Sequence, residues 1–136
     1  MAQFRLEIVT PEREFFNDDV ESLVVDTPDG KRGILAGHTP MVAALAVGMV
    51  SIKKGDQWLM CFASEGFIEV RPDKVFINAQ VMEWPNEIDE HRAEVAAAKA
   101  EERLRQEQSL REYNASKASL IRAMTRLRVK HNINNR

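Results

Sequence analysis

The sequence predicts a mixed chain, β first and α after, in which an antiparallel sandwich or barrel of short strands leads into an antiparallel two-helix hairpin. Three observations predict it. Apolar residues alternate through the first part between closely spaced turns, glycine and proline disappear after Pro85, and acidic and basic residues separate between the two parts. Alternation at period two belongs to half-buried strands, and glycine-free, proline-free stretches rich in Ala, Glu, Arg and Lys belong to helices.

The strands are read in order. Phe4, Leu6 and Ile8 alternate with Arg5 and Glu7 until Thr10-Pro11 ends the run. Leu23 to Asp26 stops at Pro28-Asp29-Gly30, Gly33 to Leu35 follows, and Val50 to Lys53 stops at Gly55-Asp56. Trp58, Met60 and Phe62 alternate next, and Phe67 to Val70 runs into the turn Arg71-Pro72-Asp73-Lys74. Val75, Ile77, Ala79 and Val81 alternate after it. Short strands punctuated this often suit an antiparallel sandwich or barrel.

From Ile88 onward the period changes. Ala93, Ala97, Ala100 and Leu104 recur at steps of four, three and four, and Tyr113, Leu120, Met124 and Leu127 at seven, four and three, so each set traces one helix face. Asn114 and the serines between Ser109 and Ser116 predict the connection there. The domains are therefore expected at 1–86 and 87–136. A helix whose buried face is alanine buries little apolar area, so the hairpin is expected to detach at a cost of only a few kcal/mol.

Composition excludes several classes. With 136 residues, 44% hydrophobic and 29% charged, the chain has the make-up of a globular protein with room for one domain and a small second element. The single cysteine, Cys61, has no partner for an internal disulfide or a thiolate metal site, which fits a reducing cytoplasmic compartment. The first residues, Met1-Ala2-Gln3-Phe4-Arg5, do not read as a signal peptide, and the apolar stretch from Gly33 to Val50 is interrupted by His38, Thr39 and Pro40, so no membrane span is expected. The three histidines, His38, His91 and His131, fall in separate regions, and no G-x-S-x-G, H-E-x-x-H or Walker pattern is present, so no catalytic constellation is read. His38, in the turn Ala36-Gly37-His38-Thr39-Pro40, reads as a structural hydrogen-bonding group.

Charge is distributed unevenly. Residues 1–87 hold 8 basic against 14 acidic side chains, a balance of −6, and residues 88–136 hold 11 against 7, a balance of +4. From Tyr113 onward there are six basic side chains and no acidic one, which suits an acidic partner. Asp89 stands where it would cap a helix, and with Arg92 it offers an anion and a cation on one face. Arg122 and Arg126, four apart, place two guanidinium groups on one face of the second helix, a pairing suited to phosphate oxygens. If the hairpin is antiparallel, the four could surround one polyanion.

The order of these features, over the whole chain, resembles the epsilon subunit family of bacterial F-type ATP synthases. Gly33-Ile34-Leu35-Ala36-Gly37-His38-Thr39-Pro40 resembles the family's G-I-L-P-x-H-x-P turn, and Gly66-Phe67-Ile68-Glu69-Val70 its G-G-F-x-E-V segment. Ile88-Asp89-x-x-Arg92-Ala93 is similar to the family's ATP-recognition motif. Two departures stand out: Ala36 replaces the usual proline, and Glu65 replaces a glycine, which matters only if that backbone needs positive φ.

The resemblance implies a sandwich of about ten strands in the central stalk, a non-catalytic rotor part joining the gamma subunit to the ring of c subunits. It also implies a peripheral place on the cytoplasmic face of the cell membrane of a proton-translocating complex. The hairpin is implied to alternate between a compact form and an extended form that reaches the alpha and beta subunits and restrains ATP hydrolysis. ATP is the implied regulatory ligand of the compact form, held by Asp89, Arg92, Arg122 and Arg126, with Glu83 a lesser candidate. No catalytic cofactor and no metal site are implied, and the sequence does not fix whether Mg²⁺ accompanies the nucleotide. Two alternatives remain at this stage: the same rotor role without nucleotide binding, and a nucleic-acid-binding module built on the basic helix.

Overall fold

The computed structural model describes residues 2–106 and 109–134, with side chains to 132. The chain divides into two compact units, Met1–Glu83 and Trp84–Arg136.

The first unit is a β-sandwich. Among the described residues ten strands are found: β1 Phe4–Val9, β2 Glu14–Val20, β3 Ser22–Thr27, β4 Gly30–Leu35, β5 Met41–Leu45, β6 Gly48–Lys54, β7 Gln57–Ala63, β8 Gly66–Val70, β9 Lys74–Ala79 and β10 Met82–Glu83. They form two five-stranded sheets, ordered β2-β1-β9-β8-β5 and β10-β7-β6-β3-β4. Pairing is antiparallel except between β1 and β9. The alternating apolar side chains meet in the core, where Leu6, Ile8, Leu23, Ile34, Ile52, Ile68 and Ile77 are fully buried.

Three strands are not visible to periodicity. Along β2, Glu14-Phe15-Phe16-Asn17-Asp18-Asp19-Val20 breaks alternation because a bulge opposite Ile8/Val9 shifts the register within the strand. Strand β5 lies inside an unbroken apolar stretch, and β10 has only two residues. Two expectations are corrected. On β7 Leu59, Cys61 and Ala63 form the row in register with Val50 and Ile52 of β6, and Trp58, Met60 and Phe62 form the other; the strand is not half-buried throughout, because Cys61, Phe62 and Ala63 at its end are all buried. Val81 lies past the end of β9 and is exposed, its amide donating to the Ser64 hydroxyl at 2.7 Å.

Polar side chains fasten the strand ends. Asp26 accepts from the Met49 amide at 3.0 Å and from Lys31 Nζ at 3.0 Å, while its carbonyl accepts from the Ala46 amide. A Cβ on Gly48 would lie 2.2 Å from the Asp26 carboxylate, so the β5–β6 turn needs glycine at that point. Across the sandwich, Lys54 donates to Asp18, and that hydrogen bond holds the Asp18 carboxyl below the usual carboxylate range. No non-glycine residue has positive φ among the described residues, so Glu65 occupies its place without backbone strain.

The second unit opens with a 3₁₀ turn, Pro85–Glu87, and continues as α1, Glu90–Leu104, and α2, Leu110–Asn134. The connection is shorter than expected and ends at Ser109; Asn114 and Ser116 lie inside α2. The reason is in Ser109-Leu110-Arg111-Glu112, an S-x-x-E start signal: the Ser109 hydroxyl accepts from the Glu112 amide at 3.2 Å, and its carbonyl accepts the first helical bond, from the Tyr113 amide. On α1 the alanine face is buried as predicted, with Ala93, Ala97 and Ala100 at 7% exposure or less. The α2 face agrees with the prediction in part, Leu120 and Leu127 being half-buried. Tyr113 and Met124 are exposed, and the buried positions are Ser116, Ala123, Thr125 and Val129, mostly small side chains of the kind that let helix backbones approach closely.

Candidate nucleotide site on the helical hairpin

The hairpin is antiparallel, and two contacts fix which residues stand level. Lys130 Nζ donates to the Pro85 carbonyl at 2.9 Å, and His131 Nε2 lies 2.7 Å from Glu90 Oε1. The last part of α2 therefore runs beside the start of α1, as the proposed constellation requires.

Asp89 sits at the N-cap of α1. Its Oδ1 accepts from the Arg92 amide at 3.0 Å and its carbonyl from the Ala93 amide at 3.0 Å. One carboxylate oxygen is thus committed to capping, and the Arg92 side chain leaves the helix at the same turn, exposed. Helix N-terminal amides and a nearby cation favour anions, so this corner suits phosphate oxygens despite the Asp89 charge.

Arg122 and Arg126 are half-buried on α2. The Arg122 guanidinium donates to the Ser119 hydroxyl at 3.2 Å, which fixes its direction along the helix. With His131 opposite Glu90, a rise of about 1.5 Å per residue puts Arg126 within about 5 Å of the level of Arg92 along the hairpin, and Arg122 about 10 Å away. Asp89, Arg92 and Arg126 thus share one end of the hairpin, while Arg122 stands level with the middle of α1, near Lys99. Glu83 belongs to the other unit, on β10 opposite Phe62. Lys130 and His131, which hold the hairpin end together, were missed in the sequence; their signal is basic residues in the last turns of a helix that ends beside the start of its partner.

The sandwich carries a groove of about 370 Å³ lined by Phe4, Leu35, His38, Pro40, Arg71 and Lys74 among others. It lacks a free acid–base pair: His38 Nδ1 donates to the Thr39 carbonyl at 2.8 Å, Arg71 is bound to Glu69 at 2.8 Å and Lys74 to Glu7 at 3.1 Å. Cys61 is fully buried, and burial pushes its thiol far above the ordinary range. Among the described residues no cluster of His, Cys, Asp and Glu has the arrangement of a metal site.

A sandwich followed by a helical hairpin, with charged side chains gathered at one hairpin end and no catalytic constellation among the described residues, defines a two-domain chain of sandwich and hairpin. The family description "ATP synthase, Delta/Epsilon chain, beta-sandwich domain" matches residues 3–85, and "ATP synthase, Delta/Epsilon chain, long alpha-helix domain" matches residues 86–131. The "ATP synthase epsilon chain" of Caldanaerobacter subterraneus subsp. tengcongensis is 47% identical over 93% of this chain and 92% of its own length. That of Ruminiclostridium cellulolyticum is 44% identical over 93% of this chain and 95% of its own. A chain of the Euglena gracilis mitochondrial ATP synthase OSCP/F1/c-ring structure superposes with a TM-score of 0.83 at 22% identity, covering 100% of this chain and 83% of that one. A chain of the Tetrahymena thermophila central stalk/c-ring structure does so with 0.68 at 17%, covering 95% and 97%. These two likenesses show the fold. The chain belongs to the delta/epsilon chain family of ATP synthases, as an accessory chain of that complex and not its catalytic subunit.

Proposed function

We propose that this chain is a rotor subunit of the central stalk of a proton-translocating F-type ATP synthase, joining the gamma subunit to the c-ring, with the hairpin of residues 87–136 as a brake on ATP hydrolysis. The match of both domains, in order, to the epsilon chain family carries the reading. The complex places the chain peripherally at the cytoplasmic face of the cell membrane; among the described residues no helix is long and apolar enough to cross one.

The brake works by two states. In the compact state ATP binds along the hairpin, from Arg92 and Arg126 at its end to Arg122 level with the middle of α1, with Asp89 holding the first turn. In the extended state α2, basic from Lys117 to Lys130, meets acidic surfaces of the alpha and beta subunits. ATP at a hundredfold excess over its dissociation constant stabilises the compact state by ~2.7 kcal/mol, enough to govern a weakly docked hairpin. A second reading, the same rotor part without nucleotide binding, is favoured by one observation: the Asp89 carboxylate already has work as a helix cap.

The gamma subunit is assigned to the edge of the sandwich. Val42 on the edge strand β5 is 71% exposed, and Phe67 on β8, paired with Ala44, is 44% exposed. Exposed apolar side chains beside an open strand edge suit a protein partner. Val42→Asp with Phe67→Asp is expected to weaken co-purification with the gamma subunit at least tenfold while the thermal melt stays within a few degrees of wild type. Retention equal to wild type would remove this edge from the interface.

A further inference from the structure

We infer that Lys130 is a positioning residue of the nucleotide site: it ties the end of α2 to the Pro85 carbonyl and so holds Arg126 in register with Arg92. The inference rests on the nucleotide site proposed above and names a group that assembles it without touching the ligand.

The acceptor is built to stay in place. Pro85 is buried at the start of the 3₁₀ turn, its ring fixes φ, and its carbonyl also accepts from the Ile88 amide at 3.2 Å. The turn is closed on itself, since Glu87 donates its amide to the Trp84 carbonyl at 2.9 Å and accepts from the Trp84 amide at 2.8 Å. Lys130 Nζ reaches the Pro85 carbonyl at 2.9 Å from a half-buried side chain. That bond is charge-assisted and partly shielded from water, and both strengthen it.

Packing alone specifies the register weakly. Helices resist sliding where large ridges sit in deep grooves, and here the most buried positions are the alanines of α1 and Ser116, Ala123, Thr125 and Val129 of α2, none larger than valine. The residues between Leu104 and Leu110 join the helices at the far end only. At the near end the other tie, His131 Nε2 to Glu90 Oε1, is a pair of side chains 55% and 40% exposed, and such pairs contribute little. A slide of one turn, about 5.4 Å, breaks the Lys130 bond. Without that bond α2 samples several registers, and only the one that keeps Arg126 level with Arg92 binds the phosphate chain as proposed. Apparent affinity falls with the population of that register.

The experiment uses the full chain with nitroxides at Glu94→Cys and Asn114→Cys, exposed positions well separated along the hairpin, with Cys61 protected by burial. Without nucleotide, the chain with Lys130 is expected to give one narrow distance. Lys130→Met, which keeps the stem and removes the donor, is expected to add a second population displaced by about 5 Å, one helical turn. Lys130→Arg returns a donor and is expected to restore the single distance. Calorimetry on the unlabelled chains is expected to give an ATP dissociation constant about threefold higher for Lys130→Met, as when the competent register falls to about a third of the population, and the wild-type value for Lys130→Arg. Saturating ATP is expected to return Lys130→Met to the wild-type distance, which it would not do for a helix end that had simply unfolded. Unchanged distances or unchanged ATP affinity in Lys130→Met overturn the positioning role, as does a failure of Lys130→Arg to rescue them, or a Glu90→Gln variant that slides as far as Lys130→Met. A wild type that binds no ATP overturns instead the nucleotide site on which the inference rests.

Discussion

Replacing Arg122 and Arg126 together by alanine is expected to abolish measurable ATP binding by the isolated chain, raising the dissociation constant at least a hundredfold. Each guanidinium offers charge-assisted hydrogen bonds to phosphate, worth about 1.5–3 kcal/mol apiece, so losing both removes about 3–6 kcal/mol. The fold should survive, because both side chains are half-buried and alanine is the strongest helix former. Calorimetry measures the loss, and circular dichroism of the same sample checks the helices. Asp89 needs a subtler change. Alanine there would remove the helix cap, costing about 0.5–2 kcal/mol, and would confuse capping with ligand binding. Asparagine caps as well as aspartate, so Asp89→Asn isolates the carboxylate charge. Wild-type binding in the arginine double variant would leave the Asp89 to Arg92 motif as helix capping and surface charge.

The second large effect concerns the sandwich. Gly66→Ala is expected to destabilise it by about 3 kcal/mol or more, lowering its melting temperature by about 12 °C or more. A Cβ at Gly66 would stand 2.0 Å from the Asn78 carbonyl oxygen and 2.7 Å from the Ala79 Cα. Both obstacles are backbone of the neighbouring strand, so relief requires parting β8 from β9, where Gly66 pairs with Ala79. Gly48→Ala makes the instructive contrast. Its added methyl meets only the Asp26 side chain, whose carboxylate can rotate away at the expense of the Met49 amide bond while the Asp26 Cβ, 2.7 Å from the methyl, must shift slightly with its strand, so its cost is expected to be smaller, about 2 kcal/mol. Thermal melts of both variants decide the ranking; a Gly66→Ala melt within 2 °C of wild type would contradict the packing described for β8 and β9.

Much of the architecture was legible because its signals are local. Leu6 and Ile8, Val75 and Ile77 alternate, and the alanines of α1 repeat at helical spacing, so those elements and their buried faces are readable from side-chain type alone. What was not legible depends on partners. On β7 the smaller row, Leu59, Cys61 and Ala63, stands in register with Val50 and Ile52, because pairing with β6 chooses the face and side-chain size does not, and Phe62 of the other row is buried as well. The buried positions of α2 are likewise mostly small, and no periodicity of large residues finds them. Strand β2 was hidden by a bulge, and the start of α2 was masked by Asn114 and Ser116, although Ser109 and Glu112 carried the overriding signal. At the candidate site the residue types could be read, and Asp89 as a cap with them. Their spacing along the hairpin could not, because it is set by Lys130 and His131 at the mouth.

The nucleotide-sensitive brake is tested most directly by ATP hydrolysis in the assembled synthase, comparing the complete chain with one ending at Glu87, which keeps the whole sandwich unit. Hydrolysis at low ATP is predicted to be at least threefold faster without the hairpin, with the difference closing as ATP rises and holds the complete chain compact. Equal rates at every ATP concentration would contradict the brake and leave the hairpin without a part in regulation.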